Sequence, residues 1–204
     1  MRILPCGDKA FLVELDGVDD VIAHHAGLAA ARIDGVVELV PAARTILVQV
    51  DTGVASLSAV ADRVRQVAPL GKVLTSDAAV VEVPVRYTGP DLADVAALLG
   101  VTPAEVVRWH GDQVWTAAFT GFAPGFAYLV AGVEPREVPR RATPRTSVPA
   151  GSVALAGPFA GVYPRESPGG WQVIGTTSLL MWDVAREQPA LLGAGSLVRF
   201  VDVT

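Results

Sequence analysis

A single cysteine, Cys6, stands in a chain of 204 residues. One thiol excludes an internal disulfide framework and any paired-cysteine metal site. Its expected role is that of a small apolar packing residue. No uninterrupted apolar run approaches the roughly 18 residues needed to span a bilayer. The opening residues form no apolar leader, because Arg2 is followed at once by Pro5, Gly7 and Asp8. A cytoplasmic protein with no membrane partner is expected. Positive charge is in deficit, with a net charge of −5, which argues against nucleic-acid and anionic-membrane binding. The sequence also lacks a GxSxG elbow, an HExxH pair and a GxxxxGK loop followed by Ser or Thr, so no hydrolytic or nucleotide-binding machine is spelled out. It has no internal repeat and no low-complexity linker. Histidine is scarce at three residues. His24 and His25 are helix neighbours facing different sides, so they cannot share a metal as an i,i+4 pair can, and no metal site is expected.

Apolar residues make up 51% of the chain, enough for a full core in one large domain or two small ones. Residues 1–87 read as short alternating elements. Phe11–Leu15, Val36–Val40, Thr45–Val50 and Val80–Tyr87 are strand candidates. Asp19–Ile33 carries Ile22, Ala26, Ala29 and Ile33 at helical spacing, and Leu57, Val60, Val64 and Val67 mark a second helix ended by Pro69 and Gly71. The order β-α-β-β-α-β predicts a ferredoxin-like arrangement, two helices on one face of an antiparallel sheet. Two short helices follow. Pro90 sits near the start of Leu92–Leu99 and Gly100 stops it. Thr102-Pro-Ala-Glu105 fits a capping box, with Gly111 closing the second helix.

From Val114 the grammar changes. Eight of the fifteen prolines lie between Pro124 and Pro168, which forbids helices of ordinary length there. Val114–Phe119, Val148–Leu155, Gln172–Ile174, Ser178–Trp182 and Ser196–Val201 remain as short strands, predicting a β-barrel or closed sandwich. The expected domains are 1–80, small and α+β, and 81–204, a β-barrel.

Three loops carry the candidate chemistry. In Gly121-Phe-Ala-Pro-Gly-Phe-Ala-Tyr128, Gly121, Pro124 and Gly125 shape the backbone so that Phe122, Phe126 and Tyr128 are held on a loop, as in a pocket wall or a partner surface. A core turn that only packs explains the same pattern. In the second loop Arg136, Arg140, Arg141 and Arg145 gather on an acidic chain, with Thr143, Thr146 and Ser152 as hydroxyl donors. Guanidinium forks grip carboxylates and phosphates, so a local anion site is one reading. The other is a solvated loop whose arginines pair with Glu134 and Glu137. In the third, Gly169-Gly170 permits a nest of backbone N–H groups, with Tyr163, Ser167 and Trp171 lining the same pocket, unless it is only a long hairpin. His110 ends a short helix. It is a structural residue by that position and a weak acid–base candidate by its place before the Phe-rich loop. No other catalytic residue suggests itself.

Gly121-Phe-Ala-Pro-Gly-Phe-Ala-Tyr-Leu129, Pro139-Arg-Arg-Ala-Thr-Pro-Arg-Thr146, Val148-Pro-Ala-Gly-Ser-Val153 and Tyr163-Pro-Arg-Glu-Ser-Pro-Gly-Gly-Trp171, four ordered motifs, together resemble the family of 5-oxoprolinase B-type subunits. That family is also labelled allophanate hydrolase subunit 1 and includes an inhibitor of a sporulation histidine kinase. Arg2-Ile-Leu-Pro-Cys-Gly-Asp8 and Val83-Pro-Val-Arg-Tyr-Thr-Gly-Pro-Asp91 extend the likeness over nearly the whole chain. The resemblance implies a cyclophilin-like barrel behind the α+β domain. It implies a hydrolase subunit, inactive alone, in a heteromer that opens 5-oxoproline to glutamate with ATP. The implied partners are a homologous barrel protein (the C-type subunit, or allophanate hydrolase subunit 2) and a lactam-binding subunit, with ATP used at the level of the complex. It leaves two alternatives, a module inhibiting a histidine kinase and a carboxyltransferase-type half of a urea carboxylase-like system. Gly157-Pro-Phe-Ala-Gly161 departs from the family's Gly-Gly-Gln-Thr-Gly by placing Phe159 where an amide is usual, and Thr88 departs from an acidic residue or Gly.

Overall fold

The computed structural model describes residues 1–71 and 79–204, and the chain divides into two units, Met1–Ser76 and Asp77–Thr204. The first unit runs β1 (Arg2–Pro5), β2 (Ala10–Glu14), α1 (Val18–Ala31), β3 (Val36–Pro41), β4 (Thr45–Val50) and α2 (Leu57–Gln66). Its sheet has the order β1-β2-β4-β3, antiparallel throughout. Alternation in β2 and β4 turns Phe11, Val13, Ile46, Val48 and Val50 inward. The stripe of α2, Val60 and Val64 with Leu57 and Val67, packs on them as its spacing predicts.

Three expectations need correction here. The buried face of α1 is Val21, Gly27 and Leu28, while Ala29 is exposed. Gly27 is required because a Cβ there would lie 2.4 Å from the Ala68 carbonyl oxygen, where the chain leaving α2 crosses the helix. Cys6 is exposed rather than packed. The edge position that the fourth strand of a ferredoxin-like sheet would occupy is filled by β1, because Val80–Val85 pairs elsewhere.

That segment is β5 (Val80–Val85) of the second unit, followed by α3 (Leu92–Leu99), α4 (Pro103–Asp112), β6 (Trp115–Thr120), β7 (Ala127–Ala131), β8 (Arg145–Val148), β9 (Ser152–Ala156), β10 (Phe159–Val162), β11 (Ser167–Gly169), β12 (Gln172–Thr176) and β13 (Leu197–Asp202). Seven of these strands form one sheet, β12-β9-β10-β7-β6-β13-β5, with β13 and β5 parallel, and β8 and β11 form a separate two-stranded ribbon. The sheet is a nearly closed barrel. After β5 the chain runs along β12, where Arg86 and Thr176 exchange two 2.9 Å backbone hydrogen bonds, Gly89 donates to the Ile174 carbonyl and Asp91 to the Val173 carbonyl. The approach is too close for side chains, since a Cβ on Gly89 would lie 2.3 Å from the Ile174 carbonyl carbon and one on Gly175 2.7 Å from the Arg86 carbonyl oxygen.

The α+β class and the barrel-like sheet agree with the sequence reading. Thr102 and Glu105 form the predicted capping box, and Gly100 ends α3 with φ 68°. α4 continues through Gly111 to Asp112. Val148–Leu155 is two strands, broken at Pro149-Ala-Gly151 where Gly151 has φ 77°. Ser178–Trp182 is not a strand, and only an isolated bridge, Trp182 to Ala190, marks it. Among the described residues no helix is long and apolar enough to cross a membrane.

Candidate functional site

The tip of the β6–β7 hairpin, residues 121–126, combines two turns. The Ala123 N–H donates to the Gly121 carbonyl at 2.8 Å across Phe122, whose φ is 69°. An i to i+2 hydrogen bond around a residue with positive φ is the strained three-residue turn, rarely adopted by a bulky side chain. The Phe126 N–H then donates to the Ala123 carbonyl at 3.0 Å across Pro124 and Gly125, with Gly125 at φ 83°. Pro at the second position and a left-handed Gly at the third define a type II turn. Gly125 is needed twice over, because a Cβ there would also lie 2.9 Å from both the Met181 carbonyl oxygen and the Trp182 Cβ. Phe122 is thereby pushed outward, 57% exposed, with its ring edge-on to Phe126 at 5.3 Å and to Tyr163 at 6.0 Å. A groove of about 500 Å³ lies beside the tip, walled by Phe122, Pro124, Trp182 and Leu192.

Behind the tip the aromatic side chains expected in one place do meet. Phe126 is buried and lies edge-on to Tyr128 at 5.0 Å, Tyr163 at 5.6 Å and Trp171 at 5.3 Å. Tyr128 stacks on Phe119 at 4.4 Å and touches Trp171 at 5.6 Å. Phe159 fills the corner between Phe119 and Tyr128, so this departure from the family pattern extends the ring cluster. Edge-to-face contacts of this kind contribute about 0.5–1.5 kcal/mol each beyond the area they bury. Glycines clear the space. A Cβ on Gly161 would lie 2.9 Å from the Phe126 ring, and one on Gly169 2.2 Å from the Tyr163 hydroxyl oxygen. Burial raises the pKa of both Tyr128 and Tyr163, and the charge of Arg140 pulls each back down.

The arginines divide. Arg141 Nη1 lies 2.6 Å from Asp91 Oδ1, and Arg145 places Nη2 and Nη1 at 2.7 and 2.8 Å from the two Asp91 oxygens. The Val173 backbone N–H donates to Asp91 Oδ2 at 2.6 Å. Asp91 is only 1% exposed. Burial alone would raise its pKa, but the Arg145 hydrogen bonds, the Val173 N–H and the two guanidinium charges hold it below the usual carboxylate value. Asp91 is the N-cap residue of α3, yet its carboxylate makes no cap bond and is wholly turned to this cluster. Arg141 Nε and Gln172 Oε1 in the same corner are buried without hydrogen-bond partners. Arg136 takes the bland option, pairing with Glu134 at 3.6 Å and lying over the Trp109 ring at 5.3 Å. Arg140 is exposed and makes no ion pair or side-chain hydrogen bond among the described residues.

Other expected site residues are placed less favourably for binding. Thr143 is exposed. Ser152 is buried in β9, and the Ser167 hydroxyl donates to the Arg165 carbonyl at 3.3 Å. Gly169 and Gly170 form no nest, since neither has positive φ and Gly169 lies in β11 opposite Arg145. The Gly170 carbonyl accepts from the Arg141 backbone N–H at 2.9 Å, so that dipeptide presents an acceptor to its neighbour. His110 is fully buried, not poised at a cleft. It hydrogen-bonds the Tyr87 hydroxyl through Nδ1 at 2.7 Å and stacks on Phe200 at 4.2 Å, with Nε2 unpartnered. Burial drives its pKa down to about 3, so it is neutral at any ordinary pH. A wider groove of about 640 Å³ between α4 and β13 touches its partner Tyr87 but none of the residues expected at the site. Asp91 is the residue that sequence reasoning missed. The arginine run shows the need for an anion, but its partner lies 50 and 54 positions away.

A family model described as "Carboxyltransferase domain, subdomain C and D" matches residues 1–192. A curated B-type subunit of 5-oxoprolinase, from Escherichia coli O157:H7, is 52% identical over 124 residues, which are 59% of this chain and 57% of that protein. The chain thus spans little more than half the length of the curated relative it matches. The crystal structure of the protein TTHA0988 superposes with a TM-score of 0.77 at 32% identity, over 96% of this chain and 40% of the other. The urea carboxylase of Kluyveromyces lactis superposes with a TM-score of 0.76 over 99% of this chain and 22% of its own, at 18% identity, a likeness of fold alone.

Proposed function

The chain belongs to the family of carboxyltransferase domains, subdomains C and D, and from that premise we propose that it is one subunit of a heteromeric, ATP-dependent hydrolase that opens 5-oxoproline to glutamate. The 52% identity to the B-type subunit of a 5-oxoprolinase carries this reading. The site is compatible with it. The substrate's carboxylate needs a cation, and the 139–146 segment carries an exposed one in Arg140. Phe122 and the groove beside it suit the contact with a homologous barrel subunit, an exposed apolar surface next to a site that one chain does not complete. The assembly is completed by a lactam-binding subunit. ATP is used at the level of that complex, and within it this chain binds, orients and keeps water from the ring. No residue of this chain is assigned a bond-breaking role. Co-expression of the chain with its partner subunits, with ATP-dependent glutamate release measured as each subunit is omitted in turn, tests the proposal. Release should require this chain, and turnover that persists without it removes the proposal.

A second reading is favoured by the family description and by the fold likeness to a urea carboxylase. In it the barrel is half of a carboxyltransferase site. The same reconstituted complex, supplied with a carboxylated carrier, then moves the carboxyl group from that carrier to a urea-type amide nitrogen, whose proton passes to the carrier, and leaves 5-oxoproline untouched.

A further inference from the structure

None of the residues lining the groove beside the β6–β7 tip is charged. Both of its walls are held in place. Gly125 seats the tip so close to Met181 and Trp182 that no side chain fits between them. Opposite, the Leu191 N–H donates to the Met181 carbonyl and the Asp183 N–H to the Pro189 carbonyl, both at 2.9 Å, which closes residues 181–191 into a loop. Two charged side chains of that loop are turned onto the loop itself. Asp183 Oδ1 accepts from the Ala185 N–H at 2.9 Å, and Arg186 Nη1 donates to the Leu180 carbonyl at 3.0 Å. Glu187 does not line the groove. At the rim stand two exposed rings, Phe122 and Trp182, and Leu180 and Val184, two positions either side of Trp182, are exposed as well.

We propose that this face pairs with the same face of a second copy of the chain, each Phe122 ring entering the other copy's groove between Pro124, Trp182 and Leu192. A projecting ring and a hollow side by side on one rigid surface are self-complementary under a twofold rotation, which is the condition for an isologous contact. Charge selects the place. Each copy carries a net charge of −5, so two copies repel where their charged surfaces meet, and a groove without charge is where that repulsion is least. The backbone suits this use. The left-handed turn at Phe122 holds the ring outward before a second copy arrives, so little freedom is lost on pairing. A patch of this kind belongs to the weak, transient class of interface, and the pairing is concentration-dependent. It goes beyond the proposed hydrolase assembly, which brings a homologous subunit to the same face, and does not depend on it.

The test is sedimentation velocity of the full chain alone as its concentration is raised. Wild type should pass reversibly from monomer to dimer. Phe122→Asn removes the ring and suits the left-handed backbone. Ala194→Glu places a charge in the groove from an exposed position and should leave the melting temperature unchanged. Each variant should weaken the dimer at least tenfold, with near-UV circular dichroism showing the fold intact. A mixture of the two should associate more tightly than either variant by itself, because one ring and one groove remain intact across the mixed pair. Fluorescence anisotropy of one variant labelled on Cys6, the single and exposed thiol, reads that association. A monomer at every concentration, a dimer that both variants leave unchanged, or a mixture no tighter than its parts would each overturn the proposal. The homologous barrel subunit is then added. A heteromer that survives both substitutions while the dimer does not keeps the self-pairing and strikes the heteromer contact at Phe122. A heteromer broken by both, in a chain that is monomeric alone, strikes the self-pairing and leaves the hydrolase reading standing.

Discussion

Arg145 meets Asp91 fork to fork, its two terminal nitrogens 2.7 and 2.8 Å from the two carboxylate oxygens. The two residues are 54 positions apart in sequence, and the pair joins the start of α3 to the start of β8. With Arg141 and the Val173 N–H added, one carboxylate ties together three stretches of the barrel. Removing it would leave two guanidinium groups and a backbone donor without their partner.

Asp91→Ala is therefore expected to destabilise the second unit by roughly 3 kcal/mol, the order seen when one partner of a buried ion pair is deleted. Urea denaturation followed by tryptophan emission measures it. A change below about 1 kcal/mol would mean that the cluster contributes little more than an exposed pair.

Acid should weaken the fold in two steps. His110 has its folded-state pKa lowered from 6.5 to about 3, so the unfolded chain binds the proton more tightly. Stability is fully present above about pH 6.5 and is lost as pH falls below it, by roughly 1.4 kcal/mol per pH unit. Half-buried His25, also lowered by burial, adds to the loss in the first unit. Asp91 follows. Its lowered pKa gives stability present above the unfolded carboxylate value and lost as pH falls through the folded one. Urea midpoints between pH 7.5 and 4 should fall in wild type. In His110→Leu the near-UV signal of Trp109 and Trp115 should start lower and fall less steeply, and an unchanged slope there would dismiss His110 as the source.

Phe122 occupies a left-handed conformation at φ 69° while most of its ring is in solvent. Glycine tolerates that φ and alanine does not. Phe122→Gly should thus be more stable than Phe122→Ala by about 1 kcal/mol, although both lose the same ring contacts. Thermal melts of the two variants decide the point, and equal stabilities would place no strain at this turn. On the proposed assembly, both variants should weaken association with the homologous barrel subunit.

Gly89→Ala should strongly damage the barrel. The new carbon would lie 2.3 to 2.5 Å from three backbone atoms of β12, none of which can rotate away. A loss of about 3 kcal/mol, at the upper end of overpacking costs, is expected. Gly53→Ala, whose nearest neighbour is the Asp51 side chain at 3.2 Å, serves as the control. Comparable melting temperatures for the two variants would contradict the close crossing.

What the sequence disclosed was mostly local chemistry. Thr102 and Glu105 cap α4 because both halves of the box lie within one turn, and Pro124-Gly125 makes its turn because the two residues restrict φ by themselves. The ring cluster was foreseeable because Gly and Pro leave its aromatics few places to go. Partners chosen across the fold were hidden. Val80–Val85 has the alternation of a strand for either sheet, and only its parallel pairing with β13 settles which. The Gly169-Gly170 pair reads as an anion nest from composition, yet the absent side chain of Gly169 makes room for Tyr163. The arginine run was legible as charge, while the carboxylate that claims two of its four members carries no local mark.

The pairing of β5 with β13 sets a timetable for biosynthesis. Val80 lies beside Leu197, and the Tyr87 N–H reaches Thr204 across 117 positions, so the barrel's first strand must wait for its last. The first unit, whose strands all fall within residues 2–50, has its sheet ready long before the ribosome delivers β13. Until then the second unit exposes an open strand edge and unburied valines, a window in which a nascent chain is vulnerable to mispairing.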